Sequence, residues 1–171
     1  HGWIDTMKHN WTSLGPFVTA ARMVRDYVTE LYEPAAQSAH QVADDDWARA
    51  RSLAGWKARI TSQWPNIRVT SVDADTSPAH EGDERIARAH VHLDGISVGD
   101  VDVQLMHGSI DSTGEFVGRP ETLSMEHDGD GNFRCTYSVS AAGAYGLTVR
   151  VLPRHDALIT PVELGLAAWA G

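Results

Sequence analysis

Arg59-Ile60-Thr61-Ser62-Gln63-Trp64-Pro65-Asn66-Ile67-Arg68-Val69 is the stretch in which the hydrophobic period of the chain changes. Upstream, Leu53, Trp56 and Ile60 recur at helical spacing, with Trp64 just past their end. Downstream, Ala87, Ala89, Val91 and Leu93 alternate with Arg88, His90 and His92. Helical spacing gathers side chains on one face of a helix, and alternation gathers them on one face of a strand. The change therefore predicts an α+β chain, helical over 1–65 and stranded over 66–171.

Working back from the boundary, the acidic run Asp44-Asp45-Asp46 suits the positive N-terminal end of the third helix. A catalytic carboxylate cluster is the rival reading, and helix capping is the commoner use of such residues. A second helix is expected from Thr19, its cap, through Ala20, Met23, Val24, Tyr27, Val28, Leu31 and Tyr32, with Pro34 as its stop. Ile4 to Ser13 reads as a short first helix ended by Leu14-Gly15-Pro16.

Working forward, alternation recurs in Val101, Val103 and Leu105, in Phe133, Cys135, Tyr137 and Val139, and in Leu147, Val149 and Val151. Ile67 with Val69, Leu123 with Met125, and Glu163 to Ala168 complete about seven short strands, the pattern of an antiparallel immunoglobulin-like sandwich. Tyr145, two residues after Gly143, reads either as a tyrosine corner bonding back to the backbone or as an ordinary core tyrosine. Leu147, Val149 and Val151 are expected to enter the core, Arg150 to stay near solvent or pair with acidic groups, and Trp169 to seal the open edge.

Charge is uneven. The formal net charge is −9, and all of it lies beyond Pro65, where sixteen acidic residues face seven basic ones. Such a surface repels phosphate backbones and anionic lipid, so neither nucleic acid nor membrane is expected as a partner. The lone Cys135 cannot form an internal disulfide, which points to a reducing compartment, by default the cytoplasm. A start at His1-Gly2-Trp3, without an initiator Met, reads as an internal fragment or a processed chain.

Four features could carry chemistry. Asp128-Gly129-Asp130-Gly131-Asn132 places oxygen ligands as a calcium loop begins, yet the sixth and twelfth places hold Phe133 and Val139 instead of Gly and Glu, so a hairpin turn is expected. His90 and His92 share a strand face and could offer zinc two ligands, with His107 as a third, although exposed histidines on a polar strand face are the plainer reading. Cys135 sits among apolar neighbours and is expected to be a small buried hydrophobe. Six tryptophans suit core and interdomain packing, or, where exposed, stacking on sugar rings. The nucleophile, phosphate-loop and metal-ligand motifs sought are absent, so no catalytic, cofactor-binding or metal residue is assigned.

The run Lys8-His9-Asn10-Trp11-Thr12-Ser13-Leu14-Gly15-Pro16, with Thr19-Ala20-Ala21-Arg22-Met23-Val24-Arg25-Asp26-Tyr27-Val28, Leu31-Tyr32 and Pro34-Ala35-Ala36, resembles the close of the catalytic domain in bacterial-type α-glucan phosphorylases. Gly146 to Pro153 with His155, then Pro161 to Leu166 and Trp169, resemble the C-terminal module of longer members. The resemblance implies that 1–65 ends a Rossmann-like lobe and that 66–171 is an accessory sandwich. It implies a parent glycosyltransferase that phosphorolyses α-1,4-glucan with pyridoxal phosphate. Neither Lys8 nor Lys57 lies in the family's cofactor-lysine motif, so no cofactor is expected in this chain. The partners implied are the remainder of the catalytic domain, α-glucan through the parent, and a second copy of the chain. The alternative is a glucan-binding sandwich, which a solvent-facing pair of aromatics among Phe116, Phe133, Tyr137, Tyr145 and Trp169 would favour.

Overall fold

The structure is a computed structural model that describes residues 2–17, 19–75 and 77–171, without the side chains of residues 16, 38 and 41–46. The chain divides into two compact units, His1–Leu53 and Ala54–Gly171.

The first unit is helical. Helix α1, Gly2–Ser13, runs into a tight turn at Gly15–Phe17, where Pro16 lacks the N–H that another helical turn would need. Helix α2, Ala20–Tyr27, starts at Thr19, whose hydroxyl accepts the Arg22 N–H at 3.2 Å. Arg22 and Asp26, four residues apart, pair at 3.1 Å along its surface.

Pro34 does not stop this helix as expected. A π-helical turn, Val28–Tyr32, intervenes, closed by the Glu33 N–H on the Val28 carbonyl, and α3 runs over Glu33–Gln63. The proline falls in the first turn of α3, where a missing N–H costs least. The expected start of a helix at Asp44-Asp45-Asp46 is likewise corrected: those positions lie inside α3, and their side chains lie outside the described residues. Trp47 has φ 63°, a left-handed value uncommon for a tryptophan, beside that run.

The second unit opens with the last turns of α3 and a short 3-10 turn, Trp64–Asn66. Eight strands follow: β1 Arg68–Ala74, β2 Glu84–His92, β3 Val101–Ser109, β4 Glu121–Ser124, β5 Glu126–His127, β6 Asn132–Ser138, β7 Tyr145–Pro153 and β8 Ala168–Trp169. They form two four-stranded antiparallel sheets, ordered β1-β2-β6-β5 and β4-β3-β7-β8. The chain is α+β.

Alternation decides the core. Ala87, Ala89 and Val91 of β2, Val101, Val103 and Leu105 of β3, Phe133 and Tyr137 of β6, and Val149 and Val151 of β7 are buried, while the residues between them are half-buried or exposed. The sheets meet where the His107 ring on β3 lies 5.1 Å from the Tyr137 ring on β6. Ala170 joins their edges, pairing in parallel with Val69 and donating its N–H to the Val149 carbonyl at 2.9 Å.

One expectation about the end of the chain needs correction. Glu163 to Ala168 is not a strand; Glu163 and Gly165 close turns on Thr160 and Val162, Gly165 has φ 64°, and strand pairing begins only at Ala168. Trp169 stands on the edge strand β8, laid along β7. It is 49% exposed and paired with Arg150, whose guanidinium carbon lies 5.7 Å from its ring centre.

Candidate functional site

These elements bring together three groups of side chains. The first ties the end of α3 to the sheets. The helical stripe buries Trp56 and Ile60, and Trp56 Nε1 donates to Asp100 Oδ1 at 2.7 Å. Arg59 reaches the other carboxylate oxygen at 3.1 Å, and Lys57 pairs with Glu163. The Trp56 ring also lies 4.7 Å from that of His155. Glu163 is held below the usual carboxylate range, chiefly by the Lys57 hydrogen bond and then by the Ile159 N–H. This arrangement holds a helix in place; it brings no nucleophile to a base.

The second group is the corner between β6 and β7. Tyr145 opens β7, and its hydroxyl accepts the Ser140 N–H at 3.4 Å, five residues upstream. That is the back-bonded geometry of a tyrosine corner. The same oxygen lies 3.1 Å from Ser140 Oγ and 2.7 Å from His107 Nδ1. His107 is 1% exposed, its Nε2 has no partner, and burial pushes it below the ordinary histidine value against a weaker upward pull from Glu121.

The third group is the outer face of β3, β7 and β8. Arg150 Nε donates to Gln104 Oε1 at 2.9 Å and Gln104 Nε2 to Asp102 Oδ2 at 2.6 Å, with Trp169 over the guanidinium. Of the two expectations for Arg150, a place near solvent or an acidic partner, the structure shows a half-buried side chain that meets an amide and a ring.

The metal readings come apart on geometry. His90 and His92 lie on the outer face of β2, with His90 Nδ1 2.7 Å from Thr70 Oγ1 and His92 exposed beside Asp94. His107 lies between the sheets, so the three are not brought together. It occupies the same parity as Val101, Val103 and Leu105, a signal present in the sequence. Asp128 to Asn132 forms the hairpin turn between β5 and β6, with Asp128 N–H on the Asn132 carbonyl and Asn132 N–H on Gly129. Gly131 has φ 76°, and a Cβ there would stand 2.7 Å from the Val91 carbonyl oxygen, which explains the glycine. Cys135 is half-buried, and burial raises its thiol pKa, as for an unreactive core thiol.

Of the two lysines, Lys57 is engaged by Glu163 and Lys8 stands exposed on α1. Of the aromatics weighed for stacking on sugar, Phe133 and Tyr137 are buried, Phe116 and Tyr145 half-buried, and Trp169 exposed. Only one of the five is exposed, so the solvent-facing pair that would favour a glucan-binding sandwich is not formed. Among the described residues no helix is long and apolar enough to cross a membrane.

The first unit offers a surface instead. Neither α1 nor α2 buries a residue, while Trp3, Ile4, Trp11, Met23, Val24 and Leu31 are each about half exposed or more.

Residues 64–171 match the family model described as the glycogen phosphorylase C-terminal domain. A glycogen phosphorylase of Mycobacterium bovis (strain ATCC BAA-935 / AF2122/97) is 40% identical over 175 residues, covering 98% of this chain and 20% of that protein. One from Mycobacterium tuberculosis (strain ATCC 25618 / H37Rv) is 39% identical with the same coverage. A maltodextrin phosphorylase of Thermococcus litoralis is 29% identical over 177 residues, 99% of this chain and 20% of that protein. The chain spans 20% of the length of the curated relatives it matches.

Proposed function

The chain belongs to the glycogen phosphorylase C-terminal domain family, and from that premise we propose that it is a non-catalytic structural and interaction module of an α-glucan phosphorylase. Its helices complete the Rossmann-like catalytic lobe, and its sheets form an immunoglobulin-like accessory sandwich. Phosphorolysis of α-1,4-glucan, with pyridoxal phosphate as cofactor, belongs to the longer parent in the cytoplasm.

The observation that carries this reading is the bare helical unit. A stretch whose first two helices bury nothing, yet carry Trp3, Trp11, Met23 and Leu31 exposed, has apolar surface that a soluble protein covers with a further layer. Relatives five times as long supply the chain for that layer. The sandwich reading is supported by strand order. Labelled in chain order, β1-β2-β6-β5 corresponds to A-B-E-D, and β3-β7-β8 to C-F-G with β4 added at the edge. Tyr145 then stands at the start of strand F, where a tyrosine corner belongs.

The test is to purify the 171-residue chain, assay phosphorolysis of maltodextrin, and mix it with a phosphorylase catalytic portion lacking this region. No phosphorolysis by the chain alone, and co-elution with the catalytic portion that Met23→Asp with Leu31→Asp abolishes, are expected. Turnover by the chain alone, or co-elution indifferent to both substitutions, would sink the assignment.

A further inference from the structure

The role as a packing module leaves one titratable group in the core unused. His107 reaches the inter-sheet space because it continues the inward parity of β3. Its ring meets Tyr137 from the opposite sheet at 5.1 Å and the Tyr145 hydroxyl at 2.7 Å. On its own sheet its register partners are Glu121 of β4, which is exposed, and Leu147 of β7. Beyond Tyr137, the Arg85 guanidinium is occupied by the Asp75, Ser77 and Pro78 carbonyls and stands 3.7 Å from the Asp75 carboxylate. Among the described residues no carboxylate touches the imidazole.

Proton accounting gives the ring two very different states. As a neutral imidazole it shares one hydrogen bond with Tyr145, and one ring nitrogen, Nε2, is left unmatched. As an imidazolium it must donate from both nitrogens. Nδ1–H could use the second lone pair of the Tyr145 oxygen, beside the Ser140 N–H, but the charged Nε2–H would still face no acceptor. A buried, unpaired charge is far costlier than an unmatched neutral nitrogen.

We propose that His107 is an acid-sensitive latch on the corner between β6 and β7: neutral, it holds Tyr145 and closes the corner; protonated, it lets residues 139–145 leave the core. The corner is suited to opening on its own. Ser140 and residues 142–144 are exposed, and its ties to the sheets run through the Tyr145 hydroxyl, the Val139–Asp83 and Gly82–Val139 backbone bonds and the Ile110 N–H on Ala144. The sign follows from burial. A histidine whose folded pKa lies below its unfolded value contributes stability that is complete above about pH 6.5 and lost as the pH falls below it.

The experiment is amide hydrogen exchange on the 171-residue chain from pH 7.5 to 5, corrected for intrinsic exchange chemistry. In the wild type, opening of amides 139–145 should rise by up to about tenfold per pH unit below the ordinary histidine value, one proton's worth of linkage. Amides of Val103 and Val149 should stay protected where the corner does not. His107→Asn keeps an acceptor near the Nδ1 position without titrating, and its corner should open to the same extent at every pH. Tyr145→Phe removes only the hydroxyl, and its corner should already be open at pH 7.5. A flat wild-type profile, an unaltered slope in His107→Asn, or a closed corner in Tyr145→Phe at pH 7.5 each overturns the proposal.

Discussion

Replacing Trp56 by Phe isolates one hydrogen bond between the end of α3 and the sheets. The indole is 6% exposed, and its Nε1 meets a carboxylate oxygen of Asp100 at 2.7 Å. Phe keeps most of the ring against His155 and removes the donor. A hydrogen bond to a charged group contributes about 1.5–3 kcal/mol, and the lost ring area adds about 1 kcal/mol. Asp100 keeps Arg59, so its carboxylate is not left bare, and the hydrogen-bond loss should fall at the lower end of its range. The expected total is about 2–3 kcal/mol. Arg59→Ala should cost under about 1 kcal/mol, because that pair is 45% and 19% exposed and solvent screens it. Asp100→Ala should leave the turn standing, since its N–H on Ser97 and its carbonyl under the Arg154 N–H belong to the backbone. Urea unfolding of the wild type, Trp56→Phe, Asp100→Ala and the double variant, with protection of the Val103 and Leu105 amides reporting the second unit, completes a double-mutant cycle. A Trp56–Asp100 coupling of about 1–2 kcal/mol is expected. Coupling under about 0.3 kcal/mol would mean that the Trp56–Asp100 hydrogen bond does not help hold the helix, and the reasoning would be wrong.

Val149, fully buried in β7, should cost about 1–3 kcal/mol as Ala, while the neighbouring Arg150→Ala should cost under about 1 kcal/mol; thermal melts compare the two. Trp169→Ala should lower the melting temperature through the lost Arg150 contact, with no maltodextrin affinity to lose by calorimetry; a retained melting point with lost sugar binding would reverse that reading. Asp111 is held below the usual carboxylate value by the Thr113 hydroxyl and N–H and by the Glu115 N–H. Its contribution to the loop is therefore present above the unfolded value of about 3.9 and lost as the pH falls through the lower folded value. An NMR titration of its carboxyl carbon should find a midpoint below 3.9, and a midpoint above it would contradict the geometry.

Much of the β unit was legible because period two is a local property. The inner faces of β2, β3, β6 and β7 could be read from residues a few positions apart, as could the turn at Asp128 to Asn132. The Tyr145 corner was half legible: a tyrosine at a strand start could be seen, but its bond to Ser140 depends on how the chain reverses. The His107 case shows a signal read too weakly. Its parity pointed inward, while its chemistry suggested an exposed ligand. Pro34 misled because proline's penalty depends on whether its position still needs an N–H, which the π-turn decides. The Trp56–Asp100 and Lys57–Glu163 ties join residues 44 and 106 positions apart, and no pattern in a short window encodes such pairs.

Ala170 pairs with Val69 in one sheet and with Val149 in the other, and this places a constraint on the order of events during synthesis. The first strand of the β unit is made roughly a hundred residues before the residue that joins its edge to the second sheet, a separation that makes closure slow relative to local hairpins. A ribosome releases about 5–20 residues per second, so β1 waits for several seconds with that edge unpaired. Its sequence, Arg68-Val69-Thr70-Ser71-Val72-Asp73-Ala74, sets charges at both ends of a strand-forming run. Charges flanking such a run are gatekeepers, and they keep the waiting edge from pairing with another nascent chain.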